Sequence, residues 1–118
     1  MSIGFKYTIA SLTARSTSGA SSSQAVLALP DEKLSLFLNV TNISNSSSMN
    51  VRPQWTDDGG TTWYDPEVPF PIVYGNTVAM TQAFQVHSNT FRVAWDIADN
   101  GSGTQSYTFG VNAFGALL

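Results

Sequence analysis

The side chains with the most chemical reach in this 118-residue chain stand between two tryptophans, in Trp55-Thr56-Asp57-Asp58-Gly59-Gly60-Thr61-Thr62-Trp63-Tyr64-Asp65. Asp57, Asp58 and Asp65, together with loop carbonyls, are the oxygen donors that a hard cation such as Ca²⁺ takes. Their spacing has no EF-hand register, and Asp57 and Asp58 point to opposite sides of an extended segment. They read as solvated turn carboxylates, and no metal is expected. The single histidine, His87, sits between Val86 and Ser88, with no Gly-x-Ser-x-Gly elbow to present a nucleophile. Asp96 and Glu67 are an acid pair of the kind glycoside hydrolysis uses, but no motif joins them. Gly101-Ser102-Gly103 links two strands, without the helix whose N-terminus would hold a phosphate. The reading is therefore not an enzyme, with no cofactor.

The acidic segment itself reads as a tight hairpin tip. Asp58, Gly59, Gly60 and Thr62 are its structural turn: Asp accepts turn N–H bonds, Gly supplies positive φ, and Thr hydroxyls cross-link the arms. Thr56, Asp58, Gly60, Thr62 and Trp63 fall in the positions of the Asp box. In sialidases that box is a structural turn away from the active centre, one per propeller blade. Here it occurs once, in a chain too short for a propeller, so a structural role is expected. Of the tryptophans, Trp55 and Trp95 fall on inward faces, which leaves Trp63, beside Tyr64, as the candidate platform for a sugar ring.

Period-two alternation supplies the elements that must hold this segment, and helical periodicity is nowhere sustained. Leu34–Thr41, Met49–Trp55, Phe91–Ile97 and Gln105–Ala113 are the clear strands, each with one apolar face. Weaker ones are expected at Phe5–Leu12, Gln24–Leu29, Ile72–Tyr74 and Val78–Phe84. Pro53 removes a ladder N–H, which puts Met49–Trp55 at an edge or a bulge. The Asn/Gly-rich turn at 99–103 is expected to join the last two strands as a hairpin. The whole reads as one all-β domain, residues 1–118: an antiparallel β-sandwich of seven to eight strands, jelly-roll or immunoglobulin-like. A closed barrel satisfies the same pattern. Thr13–Ser23 is expected to be a mobile Ser-rich loop, Pro66–Pro71 an extended connector, and 114–118 an apolar tail.

Composition narrows the function. There are no cysteines, so no disulfide or thiolate metal site staples the fold. Five Lys+Arg against eight Asp+Glu give a formal charge of −3, which argues against a nucleic-acid groove and against a polybasic membrane binder. No run approaches the ~20 apolar residues of a membrane span, and the N-terminus is a poor signal peptide. The Asn-x-Ser/Thr triplets follow from Asn and Ser richness.

Leu38-Asn39-Val40-Thr41-Asn42-Ile43-Ser44, the stretch from Val51 to Asp65, Phe91-Arg92-Val93-Ala94-Trp95-Asp96-Ile97 and Ser106-Tyr107-Thr108-Phe109-Gly110-Val111 together resemble a family of small virion proteins of tailed bacteriophages. The likeness runs in order over roughly residues 34 to 113 and leaves the first 33 residues uncovered. Trp55 and Trp95 depart from the pattern, standing where smaller residues are ordinary.

The resemblance implies a β-sandwich capsid decoration (cement) protein on the virion surface. Its partners would be the major capsid protein and further copies of itself, as a dimer or trimer. Contacts are expected in the N-terminal strand with its Ser-rich loop, in the connector at Pro69 and Phe70, and in the C-terminal Phe114, Leu117 and Leu118. Trp63 and Tyr64 complete the candidate set. The alternatives are a carbohydrate- or cell-surface-binding module of a tail or fibre, or a head–tail joining subunit.

Overall fold

A computed structural model describes residues 5–26, 32–45, 47–99 and 101–115. Within them the chain forms β1 (Phe5–Arg15), β2 (Gly19–Ala20), β3 (Gln24–Ala25), β4 (Lys33–Ser44), β5 (Met49–Trp55), β6 (Val78–Gln85), β7 (Thr90–Ile97) and β8 (Ser106–Gly115). One sheet has the order β1-β8-β4-β6, and in the other β7 pairs β2 and β3 along one edge and β5 along the other. All pairings are antiparallel. We call these the β8/β4 sheet and the β7 sheet.

Apart from the interrupted pair β2 and β3, each strand lies in the opposite sheet from the one before it. Beyond β5 the chain returns at Val73, which forms an isolated bridge with Met49, and the Phe70 N–H donates to the Val51 carbonyl. With β2 and β3 taken as one strand and the Val73 segment as the fourth of its sheet, this is the double Greek-key wrapping of a jelly roll. The fold is thus the antiparallel β-sandwich that the alternation indicates.

The core lies between the sheets. Leu34, Leu36, Leu38 and Val40 of β4 and Tyr107, Phe109 and Val111 of β8 face Met49, Val51 and Trp55 of β5 and Phe91, Val93 and Trp95 of β7, all buried. Burying such side chains contributes about 1.5–3 kcal/mol each. Phe109 meets Trp95 edge-on across the layers at 5.4 Å, and Trp55 lies against Phe91 at 5.3 Å. Arg15 closes one flank, its guanidinium 4.8 Å from the Trp95 ring centre and 4.5 Å from that of Phe109. Nη1 donates to the Phe109 carbonyl at 2.6 Å. Burial lowers the Arg15 pKa, yet a guanidinium keeps its charge in such a place.

Several sequence expectations are corrected. The turn at 99–103 does not make a hairpin, because β7 and β8 belong to different sheets. The Asp99 carboxylate accepts from the Gly101 and Gly103 N–H groups and so shapes a crossover between layers. The Ser-rich segment is not one loop. Thr13–Arg15 complete β1, Gly19–Ala20 form β2, and Ser21 Oγ accepts the Val93 N–H at 3.0 Å. Ser18 Oγ likewise accepts the Ile97 N–H, so the serines stitch this stretch to β7. Phe114 is part of β8 rather than a tail. Leu117 and Leu118 lie outside the described residues, as do positions 27–29 of the strand expected at 24–29.

Candidate functional site

The acidic loop is closed at its base by reciprocal bonds between Trp55 and Tyr64, 3.0 and 2.8 Å long. No return strand follows, so it is a closed loop at the end of β5 rather than a hairpin. Buried Thr56 is its hub. The Thr56 hydroxyl donates to Asp58 Oδ1 at 2.9 Å and accepts from the Gly60 N–H at 3.0 Å. Asp58 Oδ1 also accepts from the N–H groups of Thr61 and Thr62, at 3.0 and 2.9 Å. Gly59 and Gly60 turn the chain at φ 79° and 104°, where a side chain would be strained. The bonds from Thr62, then that from Thr56, hold the Asp58 carboxyl down at about 2, since each favours the charged form.

Trp63 and Tyr64 leave this loop in opposite directions. Trp63 folds over the outer face of the β7 sheet, donates its indole N–H to the Gly60 carbonyl at 3.1 Å, and covers Arg92 at 4.3 Å. Arg92 in turn donates to Gln54 Oε1, while Arg52 bridges Asp65 at 3.0 Å and Asp96 at 2.6 Å. That face is partly covered by its own loop, and its Arg52, Asp65 and Asp96 are paired with one another. One face of the Trp63 ring is thus taken by Arg92. Asp96 and Glu67, the acid pair considered from the sequence, are held by different partners, Arg52 and His87.

Tyr64, 50% exposed, borders an open concavity of about 300 Å³ lined by Trp55, Thr56, Asp57, Pro66, His87 and Ser88. His87 Nε2 lies 3.0 Å from Glu67 Oε1, which also accepts the Gln85 N–H at 2.7 Å. The His87 ring meets Trp55 edge-on at 5.9 Å. Trp55 carries a buried indole N–H with no acceptor among the described residues. A tyrosine ring, a carboxylate and an imidazole around a shallow hollow can hold a small polar ligand such as a sugar. Among the described residues no three His, Asp or Glu side chains converge on a metal position.

The remaining candidates separate by burial. Phe70 is 1% exposed and packs edge-on against Phe84 at 5.4 Å, so it is a core residue and not a contact group. Pro69 is half-buried in the same connector. Phe114, 49% exposed, stands on the outer face of the β8/β4 sheet. There the register sets Lys6, Phe114, Ser35 and Ala83 in one row and Thr8, Asn112, Phe37 and Thr81 in the next. Phe37, 41% exposed, is thus a diagonal neighbour of Phe114. These rows contain no carboxylate.

Sequence reasoning missed two groupings. The pairing Trp55 with Phe91 places residues after Trp55 beside those before Phe91, which is how His87 and Ser88 reach Asp57. Antiparallel pairing of those two strands was the available signal. Phe37 was legible as an apolar residue on a polar face, but its row-mates on other strands were not. Compared with protein-family models, with curated proteins and with solved structures, the chain gives no match.

Proposed function

We propose that this protein is a structural component of a tailed-phage virion, a capsid decoration protein that binds the assembled head through the outer face of its β8/β4 sheet. The observation that carries the reading is the exposed aromatic pair Phe37 and Phe114 on a sheet face whose rows hold no carboxylate, whereas the charged groups on the β7 sheet are engaged with one another or with Trp63. Exposed apolar groups gathered on one face mark contact surfaces. The sequence resemblance to small virion proteins supplies the partner, the major capsid protein, and the jelly-roll wrapping is one that viral capsid domains share with lectins. A protein that binds only the assembled shell stabilises it by mass action, without chemistry.

The test is co-sedimentation of the purified protein with emptied phage heads, with copies per particle counted by imaging. Association with heads but not with unassembled capsid subunits is expected, and it should be lost in the Phe37→Ser, Phe114→Ser double variant. No association with heads, or undiminished binding by that variant, contradicts the reading.

The hollow beside Tyr64 favours a second reading, a carbohydrate-binding module of a tail or fibre. Saccharide-specific binding on a glycan array, lost in Tyr64→Ala and kept in the double variant, would favour it.

A further inference from the structure

We infer that β6 is a dimer-forming edge: a second copy of this chain pairs antiparallel with it across a twofold axis at Thr81, joining two β8/β4 sheets into one continuous sheet. The inference does not rest on the virion reading.

The sheet edges are unequally guarded. β1 carries Lys6 and Arg15, and its register with β8 shifts between Thr8 and Ala10 and again between Ala10 and Thr13. Charges and bulges of this kind prevent edge-to-edge pairing. β5 carries Pro53, and its far side is taken by Phe70 and Val73. β2 and β3 are two residues each. β6 carries none of these devices in its own sequence, and among backbone groups the connector's Glu67 caps only that of Gln85 at its end. It runs from Val78 to Gln85 without charge, Pro or Gly, and stays in register with β4 throughout, from Lys33↔Gln85 to Val40↔Val78.

The ladder phase shows which groups are left over. The Val86 N–H donates to the Glu32 carbonyl, so the alternate residues Val78, Met80, Gln82 and Phe84 bond to β4. Ala79, Thr81 and Ala83 then aim their N–H and C=O groups outward, and none of these bonds to another described residue. Gln85, next in the outward series, has its N–H capped by Glu67. The free stretch is therefore limited to the three residues centred on Thr81.

This stretch is its own complement. Ala79-x-Thr81-x-Ala83 reads the same in both directions. With Thr81 opposite Thr81, Ala79 of one copy faces Ala83 of the other, and each exchanges an N–H and a C=O with its mate. The outward side chains are small and uncharged, so nothing repels across the axis. Phe37, the β4 partner of Thr81, flanks the seam on the outer face. On the inner face Val78 and Met80, half-buried against the core, would be covered. Val68, 76% exposed, stands on the connector whose carbonyl accepts from Gln82. A foreign strand would need some charge or pocket along residues 79–83 to select it, and the carboxylate at this edge, Glu67, is already engaged with Gln85 and His87.

Sedimentation velocity on the full chain across micromolar concentrations tests this. The wild type is expected to be a dimer. Thr81→Pro removes the central outward N–H, a change an edge strand tolerates, and Thr81→Lys sets two ammonium groups against each other. Both should weaken association by about tenfold or more, with near-ultraviolet circular dichroism confirming the fold. Thr8→Lys on the guarded β1 edge should leave the dimer intact. A wild type that stays monomeric, pairs only with a foreign strand, or forms an oligomer unmoved by both Thr81 variants overturns the inference.

Discussion

The two outer faces of this sandwich are built to opposite ends. Over the β7 sheet, the loop from Thr56 to Asp65 folds back and uses up what the strands present: Trp63 covers Arg92, and Asp65 and Asp96 share Arg52. Over the β8/β4 sheet no described loop folds back, and Phe37 and Phe114 stand exposed among Lys6 and Ala, Ser, Thr and Asn side chains. The residues richest in functional groups are thus occupied within the fold. On the plain face the two aromatic rings stay exposed.

The contrast makes its sharpest claim about two phenylalanines that look alike in sequence. Phe70→Ala should cost about 3–5 kcal/mol in denaturant unfolding, because it opens a cavity against Phe84. Phe37→Ala should cost only about 1 kcal/mol while weakening association with heads. Equal costs for the two would erase the distinction between spent and free surface. Next in size, Thr56→Val keeps the shape of the side chain but strands the Gly60 N–H and takes one of the three donors from Asp58 Oδ1. A loss of about 1–3 kcal/mol is expected, and an unchanged unfolding midpoint would mean the loop is not anchored through that hydroxyl.

The smallest expected effect is a pH dependence. Asp58 titrates at about 2 in the fold against 3.8 ordinarily. Its folded pKa is depressed, so its contribution is fully present above the ordinary value and is lost as pH falls through 3.8 toward 2. Thermal unfolding of wild type and Asp58→Asn should therefore differ at pH 5 and converge near pH 2. A constant gap would show that the carboxylate's charge is not what the loop N–H groups hold.

Much of the fold was legible because alternation reports directly on burial. Met49–Trp55 begins and ends where the pattern puts it, and the inward rows of β4, β7 and β8 are those the sequence marks. Alternation says which way a side chain faces but not which sheet its strand joins. For that reason the turn at Asp99 looked like a hairpin and proved a crossover. Phe70 misled for a different reason. Its flanking prolines signal a chain that cannot join a ladder, which suggests exposure, although a connector can still drop one ring into the core. The turn residues Asp58, Gly59, Gly60 and Thr62 were readable locally because their bonds are local. The hollow beside Tyr64, the Phe37 row and the free β6 edge depend on strand order, which no single segment encodes.

The central claim is that the protein meets its partner with the outer face of the β8/β4 sheet. The most direct measurement is hydroxyl-radical footprinting of the head-bound protein against the free protein at the same concentration. Protection of Phe37 and Phe114 is expected, with Tyr64 and His87 as reactive as before. Protection confined to Tyr64 and His87, with Phe37 and Phe114 still labelled, would contradict the account.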